Sequence, residues 1–369
     1  MTARTVNQSG GPAPDYSTLN AAVAASTAAD TIEIQGTWSA DDTTQVTWNV
    51  AVIVTADSSS QQIGAPWVSG GTEYRHRVTD AVEHAFIVTA DVDITGINIQ
   101  SDATGAGAVS DELFRAAGAY GCVITNCMLG FTTNTDQQDI WYTETFTTRT
   151  LTFEQCFFYD VGRSIIDNAW ATGGGTLTIN FNSCGSFNIG ADGARYDGCW
   201  YGQSGAENTS TINVNAHNCL IHVSDLNAFA LESTSDTFNI DCTYSIANIA
   251  TTAISVNEDS EDLTGTVGSR TWATSTAGGD EVLLTNITSG TYNPALVNDA
   301  TNNDAQTFHA VVTDAGLTIP TLDILGQERD KATPSFDCGP SALTLAAGGG
   351  TTHQGPLGRV LLGALGGPI

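Results

Sequence analysis

Apolar and polar residues alternate with period two in short runs along much of this chain, the spacing expected of strands with one buried face. The clearest runs are VITNCMLGF (123–131), LTFEQCFFYD (151–160), LTINFNSCGSFNIG (177–190), STINVNAHNCLIHVS (210–224) and DTFNIDCTYSIAN (236–248). Each carries a cysteine and is bounded by Gly, Asn, Asp, Ser or Thr. Cys127, Cys156, Cys184, Cys219 and Cys242 thus recur at intervals of 29, 28, 35 and 23 residues. Repeat architectures have periods of roughly 20–50 residues, and turns of different length make the intervals uneven while the strands keep their register. The pattern predicts an all-β parallel solenoid with the five cysteines stacked as an interior ladder.

Earlier runs extend the pattern: DTIEIQG (30–36), QVTWNVAVIVTAD (45–57) and HAFIVTADVDITGINIQS (84–101). In the last of these, Val92, Ile94, Ile97 and Ile99 are expected to line the bore while Asp93, Thr95, Asn98 and Gln100 face out. Residues 15–29 have helical spacing instead, with Leu19, Ala22, Val23 and Ser26 on one face and Asp15 or Ser17 as cap. A short amphipathic helix ahead of the first strand would plug an otherwise open bore and edge. The polar stretches 57–80, 132–149, 190–209 and 257–280 are expected to be surface loops. After about residue 343, a Gly-rich stretch leads to Leu361, Leu362, Leu365 and Ile369, an apolar arm that either caps the last coil or docks into another subunit. The expected organisation is therefore a cap and first strand over 1–36, a solenoid over 37–343 and a linker with arm over 344–369.

Composition fits this picture and restricts the partners. Forty Asp and Glu face eleven Lys and Arg, a formal net charge of −29 with a pI near 4.1, and Lys331 is the single lysine. Nucleic-acid binding needs phosphates neutralised by basic groups, so DNA and RNA are excluded as expected partners. Acidic polysaccharide would also be repelled unless cations intervene. Such acidity suits a halophilic or marine protein. The N-terminus shows no secretory signal, and no run approaches the length of a membrane span.

The opening VNQSGGPAPDYSTLNAAVAAS with DTIEIQG, together with Thr318-Ile319-Pro320, Asp323, Gly326, Arg329 and Asp337-Cys338-Gly339, resembles the pectate-lyase-like superfamily. The first stretch is similar to that family's turn, plug helix and first strand; the second is similar to its closing signature, with Cys338 in place of Ile and Pro340 in place of Ala. The resemblance implies a right-handed single-stranded parallel β-helix with an N-terminal capping helix and an extended C-terminal tail. It also points towards β-helix structural proteins of tailed phages and archaeal viruses. Arg329 pairing with Asp323 or Asp337 would give the closing signature a structural role.

Candidate chemistry is sparse. Asp192, Arg195 and Asp197 combine carboxylates with a cation in the stretch 188–205, and Trp200 and Tyr201 beside them could stack on sugars. Asp160 and Arg163, with Asp167, form a second set at a coil corner; ordinary turn and rim roles serve both sets equally well. His217 and His222 flank Cys219 and read as surface or corner residues. Glu258, Asp259, Glu261 and Asp262 are the candidate Ca²⁺ ligands, without the spacing of an EF-hand loop. For the cysteines, isolated disulfides or zinc are the alternatives to a ladder. The expected function is a non-enzymatic virion surface protein acting in assembly, stabilisation or host-surface contact. Its expected partners are other virion proteins, further copies of itself and a host-surface glycan. The alternatives are a carbohydrate-active β-helix enzyme and a surface adhesin.

Overall fold

The structure is a computed structural model that describes residues 2–8, 15–61, 72–79, 84–102, 111–132, 138–143, 148–168, 174–190, 200–202, 211–217, 219–221, 229–231, 237–243, 246–247, 254–256, 266–270 and 282–283, the strands after Cys219 by backbone alone. These form three all-parallel sheets of ten, eight and eight strands, here called A, B and C. From Ile53 onward the chain visits A, B and C in turn, and each strand pairs with the one three strands later. One circuit runs through Val92–Thr95 in A, Asn98–Ser101 in B and Asp111–Ala116 in C, and the next begins at Cys122–Thr125 in A. Each cysteine-bearing run of the sequence is therefore two strands in different sheets: 151–160 divides into Arg149–Glu154 of A and Phe157–Val161 of B. Similarly, 84–101 divides into three strands, one per sheet.

The division falls at a corner of fixed construction. A residue with left-handed backbone follows the sheet A strand: Gly96 at φ 83°, Asn126 at 58°, Gln155 at 52° and Ser183 at 53°. Its N–H still donates across the coils, from Gly96 to Thr125 O, Asn126 to Glu154 O, Gln155 to Asn182 O and Ser183 to His217 O, at 2.8–3.0 Å. The next residue is Ile97 in the first of these coils and Cys127, Cys156 and Cys184 in the others. The cysteines are buried free thiols, as is Cys219. Cys156, Cys184 and Cys219 donate to Ile124 O, Phe153 O and Phe181 O of the preceding coil at 3.2–3.3 Å, and Cys127 approaches Ile94 O at 3.9 Å.

Cys242 departs from the expected ladder. It lies within the strand Thr237–Thr243, opposite Ala216, whereas the other four lie two residues beyond their strand ends. The register there is 26 residues, His217 opposite Thr243, so the interval of 23 between the last two cysteines is a change of column and not a short coil.

Inside, sheet A supplies Cys122, Ile124, Leu151, Phe153, Leu177, Ile179, Phe181, Ile212 and Val214. Phe181 packs on Phe153, Phe158 and Trp200, with centroids 4.7–6.0 Å apart; such ring pairs contribute about 0.5–1.5 kcal/mol each beyond area burial. A second aromatic file runs from Trp38 through Tyr74, His76, Phe86 and Phe114 to Trp141.

The N-terminus differs from the expected order. A strand, Ala3–Val6, precedes the helix and pairs with Thr31–Ile34 at the edge of sheet A. The helix spans only Leu19–Ala24, and Thr18 is its cap, accepting from Ala21 N. Leu19, Ala22 and Val23 are buried as the spacing implied, and Leu19 N donates to Asp42 Oδ2 at 2.8 Å. Asp30 accepts from Thr27 N and Thr2 N, which hold its carboxyl at about 2 and tie the first strand to the helix exit.

Asn98 and Gln100 are buried, not outward on an open face. The Tyr159 ring lies against Gly130, the intervening rung, where a Cβ would sit 2.6 Å from ring carbon Cδ2, and its hydroxyl donates to Asn98 Oδ1 at 3.2 Å. All four of the presumed loop stretches contain strands: Arg75–Val78, Gln138–Thr143, Tyr201–Gly202 and Thr266–Arg270.

Burial pushes the thiols of Cys127, Cys156 and Cys184 well above the ordinary cysteine range, which suppresses the thiolate needed for alkylation. Iodoacetamide is expected to leave these three unmodified in the native protein and to label all of them in guanidinium. Site-resolved mass spectrometry checks this, and native-state labelling would contradict the buried column.

Candidate functional site

The outward positions of sheet A form the most regular surface described. TLTINFN, TINVNAH and TFNIDCT are consecutive strands of this sheet, and their parallel register superposes Thr176, Thr211 and Thr237; Thr178, Asn213 and Asn239; and Asn180, Asn215 and Asp241. Thr150 and Thr152 continue two of these columns one coil earlier. Strands stack about 4.8 Å apart, so side chains in a column meet. Asn215 Nδ2 donates to Asn180 Oδ1 at 2.8 Å, and Asn180 Nδ2 to Thr152 Oγ1 at 3.3 Å. From Thr176 to His217 the outward residues are part-exposed, while their neighbours Leu177, Ile179, Phe181, Ile212, Val214 and Ala216 are buried. The sequence contains this signal as Thr and Asn at every second position of three successive runs. Alternation alone does not distinguish such an array from the ordinary solvent side of strands.

A second cluster is internal and ionic. The register aligns His84, Glu112, Asp139 and Ser164 on successive strands of sheet C. His84 Nδ1 lies 2.5 Å from Glu112 Oε2. Arg163 binds Asp139 through Nε at 3.1 Å and also through Nη2, which pairs with Asp167 as well. Ser164 N donates to Asp139 Oδ1 at 3.1 Å. Glu112, Asp139 and Asp167 are all buried. Burial pushes Glu112 up despite the His84 contact, and pushes Asp139 up despite the guanidinium of Arg163. Arg149 is a further buried charge. It donates to Thr143 Oγ1 at 2.8 Å, Asn168 Oδ1 at 3.1 Å and Gly118 O at 3.2 Å, and burial pulls it down to about 10.

Of the residues expected to carry chemistry, Arg163 and Asp167 are brought together, and Asp139, which sequence reasoning missed, completes their group. Asp160 adopts a positive φ of 50° within its strand. Trp200 and Tyr201 are fully buried, so neither ring offers a face to a sugar. Trp200 fills bore space beside the small Ser186 and donates its indole N–H to Ser186 Oγ at 2.9 Å. Asp192, Arg195, Asp197, His222, Glu258, Asp259, Glu261, Asp262, Leu361, Leu362, Leu365 and Ile369 lie outside the described residues, as do Asp323, Arg329 and Asp337. Among the described residues, no three His, Cys, Asp or Glu side chains converge as a metal site, and no helix is long and apolar enough to cross a membrane.

Comparison with models of known families, with curated proteins and with solved structures finds no match.

The internal carboxyls set a pH dependence. A carboxyl raised in the folded state keeps its proton where the unfolded chain has lost it, so its contribution to stability falls as pH rises from about 4, the ordinary carboxyl range, through the raised value. Glu112→Gln has no proton to release there. Thermal unfolding followed from about pH 4 to 7 is expected to show a shallower decline for Glu112→Gln than for the native protein; parallel curves would contradict the raised Glu112.

Proposed function

We propose that this chain is a non-enzymatic surface protein of a virion, a decoration or spike-like solenoid that works through its outer faces. The observation that carries this reading is the Thr/Asn ladder on sheet A, an ordered array of hydroxyl and amide groups repeated over successive coils. Arrays of donors and acceptors at a fixed rise suit contact with another repetitive surface, whether a capsid lattice or a host glycan. Of the described carboxylates, Glu112, Asp139 and Asp167 are committed to His84 and Arg163 in the interior. We further propose a right-handed single-stranded β-helix of the pectate-lyase-like class, because crossovers between parallel strands of one sheet are right-handed in about 98% of cases. Virion or extracellular placement, self-association and the apolar arm formed by Leu361, Leu362, Leu365 and Ile369 belong to the same reading.

Thr178→Tyr and Asn213→Tyr place bulk on the ladder without entering the core. Both variants are expected to fold with native circular dichroism and to lose at least tenfold in binding to particles released by the source cells, measured by co-sedimentation, with immunogold label on those particles. Label confined to the cytosol would overturn the proposal. So would cleavage of a polysaccharide by the native protein that Asp192→Asn with Asp197→Asn abolishes, which would establish the carbohydrate-active alternative.

A further inference from the structure

A groove of about 520 Å³ opens on the outer side of sheet A, near the start of its strands, and its last rung, Thr150 and Thr152, is where the Thr/Asn ladder begins. Register builds it. Ile53, Asp93, Val123 and Thr152 form one outward column, and Asp91, Gly121 and Thr150 lie on the neighbouring one. Ile53 and Val123 are the large hydrophobic side chains that are exposed among the described residues, at 39% and 46%. Both line this groove, directly above and below Asp93. Gly121 deepens it: a Cβ there would lie 2.6 Å from Thr150 O, so the column has no side chain at that rung. Ala51 and Ala119 extend the apolar lining.

The carboxylates have little to occupy them. No hydrogen bond or ion pair reaches Asp93 among the described residues, and desolvation alone pushes its carboxyl up. Asp91 accepts one bond, from Gly121 N to Oδ1 at 2.8 Å. Arg149 borders the groove, but its guanidinium is spent on Thr143, Asn168 and Gly118 O. A part-exposed carboxylate flanked by aliphatic side chains suits a cation that carries apolar flanks of its own.

We propose that this groove binds a protonated primary amine carried on an aliphatic chain, its ammonium on Asp93 and Asp91 and its methylenes against Ile53 and Val123. The same chemistry belongs to free alkylamines and to the lysine side chain of a partner protein. The net charge of −29 favours either, and a partner rich in lysine would complement a chain that has one. The apolar walls disfavour a divalent metal, which takes six or more oxygen ligands when it is calcium.

Titration calorimetry of the full chain in about 150 mM salt, which screens remote charges, distinguishes the sources and the site. The probes are hexylammonium and the peptide acetyl-Gly-Lys-Gly-amide. Saturable binding of hexylammonium is expected, weakened at least tenfold by Asp93→Asn and severalfold by Val123→Thr. Glu33→Gln removes an equal charge from sheet A outside the groove and is expected to change nothing. Peptide binding with the same Asp93 dependence assigns the site to a partner's lysine; binding of hexylammonium alone assigns it to a free amine. Three results overturn the proposal: no saturable binding, equal losses in Asp93→Asn and Glu33→Gln, or displacement of hexylammonium by calcium at equal concentration.

Discussion

Every coil depends on turning at the same place as the coil beneath it. The turn from sheet A to sheet B uses one left-handed residue, and for a side chain other than glycine that conformation costs roughly 1–2 kcal/mol. Asn126, Gln155 and Ser183 bear that cost, and each returns a backbone hydrogen bond to the adjacent coil. A wider turn would break the parallel ladder at the corner and shift every later side chain to the wrong face. The cysteine that follows is small enough to sit in the crook and can donate to the carbonyl of the previous coil. Stacked corners thus align the strands on either side, and the aromatic files, the ionic column and the polar ladder inherit their registry from them.

The interior is not uniformly apolar. Where sheet C runs inward, the column of His84, Glu112 and Asp139 with Arg163 places charge among Phe86, Phe114 and Trp141. Buried ion pairs are weak sources of stability, but removing one partner leaves the other uncompensated. Their value here is positional. A coil slipped by two residues would set Asp139 level with Phe114 instead of Glu112, so the polar column penalises misregister that apolar residues alone would tolerate.

The repeat, the buried faces of sheet A and most of the cysteine column were legible in the sequence because alternation and spacing are local signals. Sheet C was not. Its later strands Gln138–Thr143 and Tyr201–Gly202 sit in polar stretches, the second of them Gly-rich, and their burial comes from neighbouring coils rather than from their own pattern. Trp200 and Tyr201 were misplaced for the same reason, since an aromatic pair in a Gly-rich stretch looks like a rim feature until Ser186 is known to leave room for an indole. Of the candidate sites, Arg163 and Asp167 were grouped from their place at a coil corner, and Asp139 one coil earlier was not, because strand register is a property of the fold.

The three-strand stride of the pairing also shapes how the chain acquires its structure. Strands of sheet A find their partners 26 to 35 residues away from Cys122 to Thr243, whatever the total length. Loop-closure entropy is therefore nearly constant from coil to coil. A chain emerging from the ribosome can lay each new coil on the one before it, with no distant partner to await. Assembly by such accretion keeps one short edge uncovered at a time, which limits the interval in which a parallel sheet is open to a stranger's strand.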